Sequence, residues 1–334
     1  MIKIDWDSII KALDEFKPKK VLIVGPDGLV EQLQEIYDFL EKRGIKPVIS
    51  GDPSYGSCDL HLNKAFTVGA DLIINLGHSI GLDRIGRVVF VNAEYIFDET
   101  EIKELAEKIL SFVEQNNLSK KAGFYTISNY YTLYKKLVET LNHRLEIPKP
   151  NKFETLLENQ VLGCNFYSSF NAPADYNFFI GESRFHAIGI QLSTEKDTYM
   201  VDPHTKEIIP VKEEALKYLK SSFARIYLAS RASTIGLIIG EKEGQVNLRK
   251  ADFLEKELSS FGYKIYKIMM NEITTDKVNK FTNIDAFVET ACPRIPMNVE
   301  GFSKPVLSYL EAMALIKLKK KIPVENPFRA AVWY

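Results

Sequence analysis

Cysteine is scarce in this chain: three in 334 residues, at positions 58, 164 and 292. An odd number at such separations argues against a disulfide framework of the kind that staples small secreted domains, and it fits a reducing compartment. No C-x-x-C pair occurs, so neither a zinc ribbon nor a ferredoxin-type cluster has a local signature. No apolar run approaches the roughly 18 to 20 residues that a membrane-spanning helix needs. Charge of one sign is missing too. Forty-three basic residues against 44 acidic ones leave a net charge of -1, which offers no general field for nucleic acid or an anionic membrane. The opening "MIKIDWDSIIKALDEF" places Trp6, Ile9, Ile10, Leu13 and Phe16 at helical spacing, which reads as an amphipathic helix and not a signal peptide. The expectation is a cytoplasmic globular protein with neither nucleic acid nor membrane as partner.

What is present is an internal repeat. "KVLIVGPDGLVEQLQEIYDFLEKRGIKPVIS" from Lys20 reads as strand, glycine-bearing turn, amphipathic helix and strand. "KAGFYTISNYYTLYKKLVETLNHR" from Lys121 repeats its opening, as does "TIGLIIGEKEGQVNLRKADFLEKELSSFGYKIYKI" from Thr234. Each unit supplies a further apolar strand, at 71–79, 176–183 and 285–294, and a last strand is expected at 88–94, 198–204 and 305–311. Long polar helices at about 101–117 and 212–232 close the first two units. Strands rich in Val, Ile and Phe alternating with helices indicate mostly parallel sheets covered by helices. The fold class is therefore α/β, with three units at 1–118, 119–232 and 233–334 meeting around a central site.

Each unit holds one thiol near the carboxyl end of a strand, where ligands gather in open parallel sheets. Cys58 lies in the turn "GDPSYGSCD", Cys164 in "QVLGCNF" just past an expected short strand, and Cys292 in "VETACPR". A free cysteine is most often a small buried hydrophobe. Against that, Gly56, Ser57, Gly163, Asn165, Pro293 and Arg294 are loop residues, and a thiol in a loop packs poorly as core. If the units converge, three thiolates can hold a cubane cluster with one iron left open, or zinc with a water as fourth ligand. Spacing does not choose between them.

The run "GDPSYGSCD" resembles a signature of the diphthamide-biosynthesis enzymes, the 2-(3-amino-3-carboxypropyl)histidine synthases. Further similar motifs follow in that family's order: "VLGCN" at 161–165, "FIGESRFHAIGIQLSTEKDTYMVDPHT" at 179–205, "GLIIGEKEGQ" at 236–245, and "ETACPRIPMN" with "FSKPVLSYLE" at 289–311. The short loops look like the archaeal, homodimeric form. The resemblance implies that Cys58, Cys164 and Cys292 bind a [4Fe-4S] cluster whose open iron faces S-adenosylmethionine. It implies reductive cleavage of that cosubstrate's Cγ–S bond and transfer of a 3-amino-3-carboxypropyl group to a histidine of translation elongation factor 2. A reductant of unnamed identity is implied as well. The C-x3-C-x2-C loop of ordinary radical S-adenosylmethionine enzymes is absent, as it is in this family.

Further residues fit such a cosubstrate. Arg184 and Arg294, near strand ends, suit its carboxylate; Asp52 or Glu182 suits its α-amino group; Asp202 suits the ribose; Tyr55, Tyr130 or Tyr131 suits adenine. Gly56 offers no bulk beside Cys58. Structural alternatives stand beside each: ion pairs for the arginines, an Asp-Pro turn for Asp202, buried rings for the tyrosines, a hydrogen-bonded helix position for His186. "GPDGLV" at 25–30 and "GEKEGQ" at 240–245 join strand to helix without matching G-x-G-x-x-G or a P-loop. The aromatic segment "NPFRAAVWY" suggests docking on the body of the chain or on a second subunit. Two other functions compete: a non-catalytic, cluster-bearing partner subunit, and a zinc-dependent or metal-free α/β enzyme acting on a nucleotide.

Overall fold

Five-residue runs that are mostly apolar make the interior strands, because a strand covered on both faces has no use for alternation. In the computed structural model, which describes residues 1–297 and 301–334, Lys20–Val24, Leu72–Leu76, Ala122–Thr126 and Tyr176–Ile180 are of this kind. They build α/β sheets that are mostly parallel and flanked by helices.

The first sheet runs in the order Lys46–Ile49, Lys20–Val24, Leu72–Leu76, Val88–Val91, Arg84–Ile85; all neighbours are parallel except the last pair. A short antiparallel pair, Ile2–Ile4 with Ala93–Tyr95, lies beside it. The second sheet runs Ile208–Pro210, Thr198–Val201, Tyr176–Ile180, Ala122–Thr126, with only its first pair antiparallel. The third is parallel throughout: Lys264–Met270, Thr234–Gly240, Ala286–Glu289, Val306–Leu307.

Helix Glu99–Gln115 shows how the helices are fixed. Asp98 accepts from the Glu101 N–H while the Glu101 side chain accepts from the Asp98 N–H, a reciprocal cap. Ile102, Leu105, Ala106, Ile109 and Val113 then fall on one buried stripe that packs against Phe124, Phe178 and Leu137. Ser308 and Glu311 cap helix Tyr309–Lys319 in the same way, so the expected strand at 305–311 shrinks to Val306–Leu307 and turns helical.

The strand expected before Cys164 does not form. Isolated bridges join Thr126 to Gln160 and Leu162 to Asn165, and the latter pair exchanges backbone hydrogen bonds at 2.9 and 3.2 Å. Gly163 and Asn165 favour a tight turn over extension, so Cys164 stands at a turn tip. The segment 328–334 packs onto this turn: the Phe166 N–H donates to Ala331 O at 2.7 Å, and Phe328 and Trp333 are fully buried beside Phe166.

Candidate metal centre

The loops that follow the parallel strands open into one cavity of about 630 Å³. Gly77 to Ile80 reach it from Leu72–Leu76, Ile127 to Tyr130 from Ala122–Thr126, Glu182 from Tyr176–Ile180, Gly244 and Gln245 from Thr234–Gly240, and Ala291 to Arg294 from Ala286–Glu289. Cys58, Cys164 and Cys292 all line it. A second hollow, of about 570 Å³, lies between helix Glu99–Gln115 and Lys206 to Ile208; no cysteine lines it.

Burial pushes all three thiols upward, Cys292 to about 12, and the mutual repulsion of Cys164 with Cys292 and Cys58 adds to it. Three desolvated sulfurs in one space are poor thiolates until a cation lies among them. A cation bound there would favour their ionised form. Among the described residues, no three His, Cys, Asp or Glu side chains are grouped as ligands of a single metal ion. The Cys292 turn is held by Glu289, whose Oε2 accepts from the N–H groups of Ala291 and Cys292 at 2.8 Å each; burial raises its carboxyl to about 8. His78 and His186 also line the cavity, and desolvation lowers each to about 4, so both are neutral near pH 7. His186 is fixed by Ser183 Oγ at 2.8 Å and lies parallel to Phe179, as a hydrogen-bonded helix residue would.

The model for diphthamide synthesis proteins matches residues 25–326. The chain belongs to the diphthamide synthesis protein family. A 2-(3-amino-3-carboxypropyl)histidine synthase from Pyrococcus horikoshii is 30% identical over 323 residues, covering 96% of this chain and 92% of that protein. Subunit 1 of the Saccharomyces cerevisiae synthase is 28% identical, covering 91% of this chain and 72% of its own. Among solved structures, Dph2 from Pyrococcus horikoshii with a 4Fe-4S cluster superposes with a TM-score of 0.86 at 29% identity, over 99% of this chain and 95% of that one.

Within this member of the family, the residues expected from the sequence divide into two groups. Tyr55, Gly56, Glu182 and Arg294 line the cavity with the cysteines. Asp52, Arg184 and Asp202 are not among its lining residues, and each has other partners. Asp52 is exposed and pairs with Lys64 at 2.9 Å, which holds its carboxyl below the usual range. Arg184 pairs with Glu214 on the neighbouring helix. Asp202 Oδ1 accepts from the N–H groups of His204 and Thr205 at 2.8 and 3.2 Å, closing the Asp-Pro turn. Tyr130 lines the cavity, but its ring is buried against Tyr95 and its hydroxyl meets His204 Nε2 at 3.1 Å.

Phe185, His78, Gln245 and Tyr334 line the cavity unforeseen. Gln245 ends "GEKEGQ", a stretch whose position after a parallel strand was the available signal.

Proposed function

We propose that this chain uses a [4Fe-4S] cluster held by Cys58, Cys164 and Cys292 to cleave S-adenosylmethionine reductively, and that it transfers the 3-amino-3-carboxypropyl group to a histidine of translation elongation factor 2. The observation that carries this reading is the meeting of three loop thiols in one desolvated cavity: Cys58 and Cys292 follow strands of the first and third sheets, and Cys164 stands on the turn between Ala122–Thr126 and Tyr176–Ile180 of the second. The named relatives and the cluster in the Pyrococcus structure support it. Sulfurs sharing one zinc would lie roughly 3.7 Å apart, given bonds of about 2.3 Å. In a cubane each thiolate takes a separate iron. The 4Fe-4S cluster in the Pyrococcus structure, 29% identical over 99% of this chain, favours the cluster over zinc.

When bound, the cluster supplies one low-potential electron to the cosubstrate. The remaining work belongs to side chains. Arg294 holds the methionine carboxylate through its planar fork, and Glu182, reaching the cavity from the second sheet, takes the α-ammonium. Tyr55, 54% exposed beside the cavity with the Lys242 ammonium 5.0 Å from its centroid, offers a face for adenine. Gly56 stands beside Cys58: a Cβ there would meet Sγ at 3.6 Å, an ordinary contact. These contacts would set the Cγ–S bond, and not the C5′–S bond, in line for cleavage.

The same reading includes three units at 1–118, 119–232 and 233–334 around the cavity, a homodimer, a cytoplasmic setting and a separate reductant. Dithionite reduction of anaerobically loaded protein with S-adenosylmethionine tests it. Methylthioadenosine is the expected product; 5′-deoxyadenosine as the main product would overturn the cleavage assigned here, and no turnover from a fully loaded protein would leave a partner subunit.

A further inference from the structure

The loop from Gly240 to Gln245, which sets Lys242 beside Tyr55, also grips the turn that carries Cys58. The Gly244 N–H donates to Cys58 O at 2.8 Å. A Cβ on Gly244 would come within 2.6 Å of Cys58 Cα and O, backbone atoms with no room to yield, so this approach is open only to glycine. Lys242 Nζ, buried, lies 2.8 Å from Asp59 Oδ2 and 2.8 Å from Glu272 Oε1, which fixes the residue after the cysteine to the third sheet. Gln245 Nε2 then meets Cys58 Sγ at 3.4 Å. Among the described residues, Gln245 is the only side chain that donates to a cysteine sulfur.

We propose that Gln245 is a positioning residue that keeps its amide N–H on the Cys58 sulfur in the metal-loaded protein, and that this loop thereby sets the cluster's reduction potential. The inference rests on the cluster reading above. One-electron reduction adds negative charge, part of which spreads onto the thiolates, and a donor aimed at a thiolate stabilises the more negative state. The donor therefore raises the potential and eases reduction. Its effect depends on being held, and the Gly244 contact with the Lys242–Asp59 pair does the holding. Cys58 is thus distinguished from the other two thiols by a contact made across two sheets.

The test uses anaerobically loaded wild type, Gln245→Met and Gln245→Glu, with the reduced cluster followed by paramagnetic resonance against dyes of known potential. Gln245→Met keeps the length and loses the donor. At the wild-type midpoint its ratio of reduced to oxidised cluster should fall about tenfold, a shift of about 59 mV downward for one electron. Gln245→Glu places a carboxylate by the sulfur and should shift further in the same direction, with iron and sulfide content kept. A partly loaded variant still answers, because only loaded protein gives the signal. Two results overturn the proposal: wild-type potentials in both variants, or a folded Gln245→Met protein that takes up no cluster. A wild type that binds no cluster would instead strike the reading on which this one rests.

Discussion

The guanidinium of Arg294 lies over the ring of Phe185, 5.5 Å from its centroid, and that same ring occupies the space a side chain at position 163 would need. One aromatic residue of helix Arg184–Thr194 thus sets both the cation beside Cys292 and the turn that carries Cys164.

Arg294→Lys keeps the charge and loses the bidentate fork. Cluster content and thermal stability should hold, while the dissociation constant for S-adenosylmethionine rises about ten- to a hundredfold, the equivalent of roughly 1.5 to 3 kcal/mol for a charge-assisted hydrogen bond. Calorimetry on cluster-replete protein checks this. Unchanged affinity would assign Arg294 to packing against Phe185 alone.

Gly163→Ala places a Cβ 2.3 Å from Phe185 Cε1, too close for any ordinary contact. The ring or the Cys164 turn has to move, and overpacking of this kind costs about 1 to 3 kcal/mol. The urea midpoint should fall and loading with iron should slow. A variant with both unchanged would show that Phe185 yields freely.

Replacing Cys58, Cys164 or Cys292 singly by alanine should weaken or abolish cluster binding in each case, since each following loop supplies only one thiol. Iron and sulfide analysis with absorption near about 400 nm measures it. Full occupancy in all three variants would contradict the ligand assignment.

His78 and His186 give the cluster-free protein an acid sensitivity of defined sign. Desolvation, joined at His186 by the charge of Arg294, holds both near 4 in the folded chain, against about 6.5 when unfolded. Between these values the unfolded chain binds protons that the folded chain refuses. Stability is therefore complete above about pH 6.5 and declines as pH falls toward 4. The loss is at most about 3 kcal/mol per ring, reduced because both rings keep some surface open to the cavity. Urea midpoints at pH 7, 6 and 5 should decline, less steeply in His186→Gln; a flat series would remove the effect.

The sheet strands were legible because period and composition agree: Leu72–Leu76 and Tyr176–Ile180 are buried along their whole length and read as apolar runs broken only by Asn75 and Asn177. The thiols were legible for a different reason, each standing among glycine, proline or asparagine in a loop. The Cys164 strand was misread because Val161 and Leu162 are apolar, whereas the partners of this stretch are a turn and the residues around Val332, which sequence order does not bring near. Arg184 failed to reach the cavity for a similar reason. Its partner Glu214 lies on the next helix, a proximity created by packing. Gln245 and Phe185 gain their meaning only from Cys58 and Gly163, residues of other loops.

Trp333 donates its backbone N–H to Cys164 O at 2.9 Å, and Val332 bridges Asn165. The Cys164 turn is therefore finished by residues made some 165 positions after it. At about 5 to 20 residues per second of synthesis, that turn waits on the order of 10 to 30 s for its supporting segment. The first two sheets can fold during that interval, but the Cys164 turn stays open on one side until the last segment docks. A ribosome stalled before Phe328 would leave folded sheets beside a Cys164 turn that lacks its backbone partners.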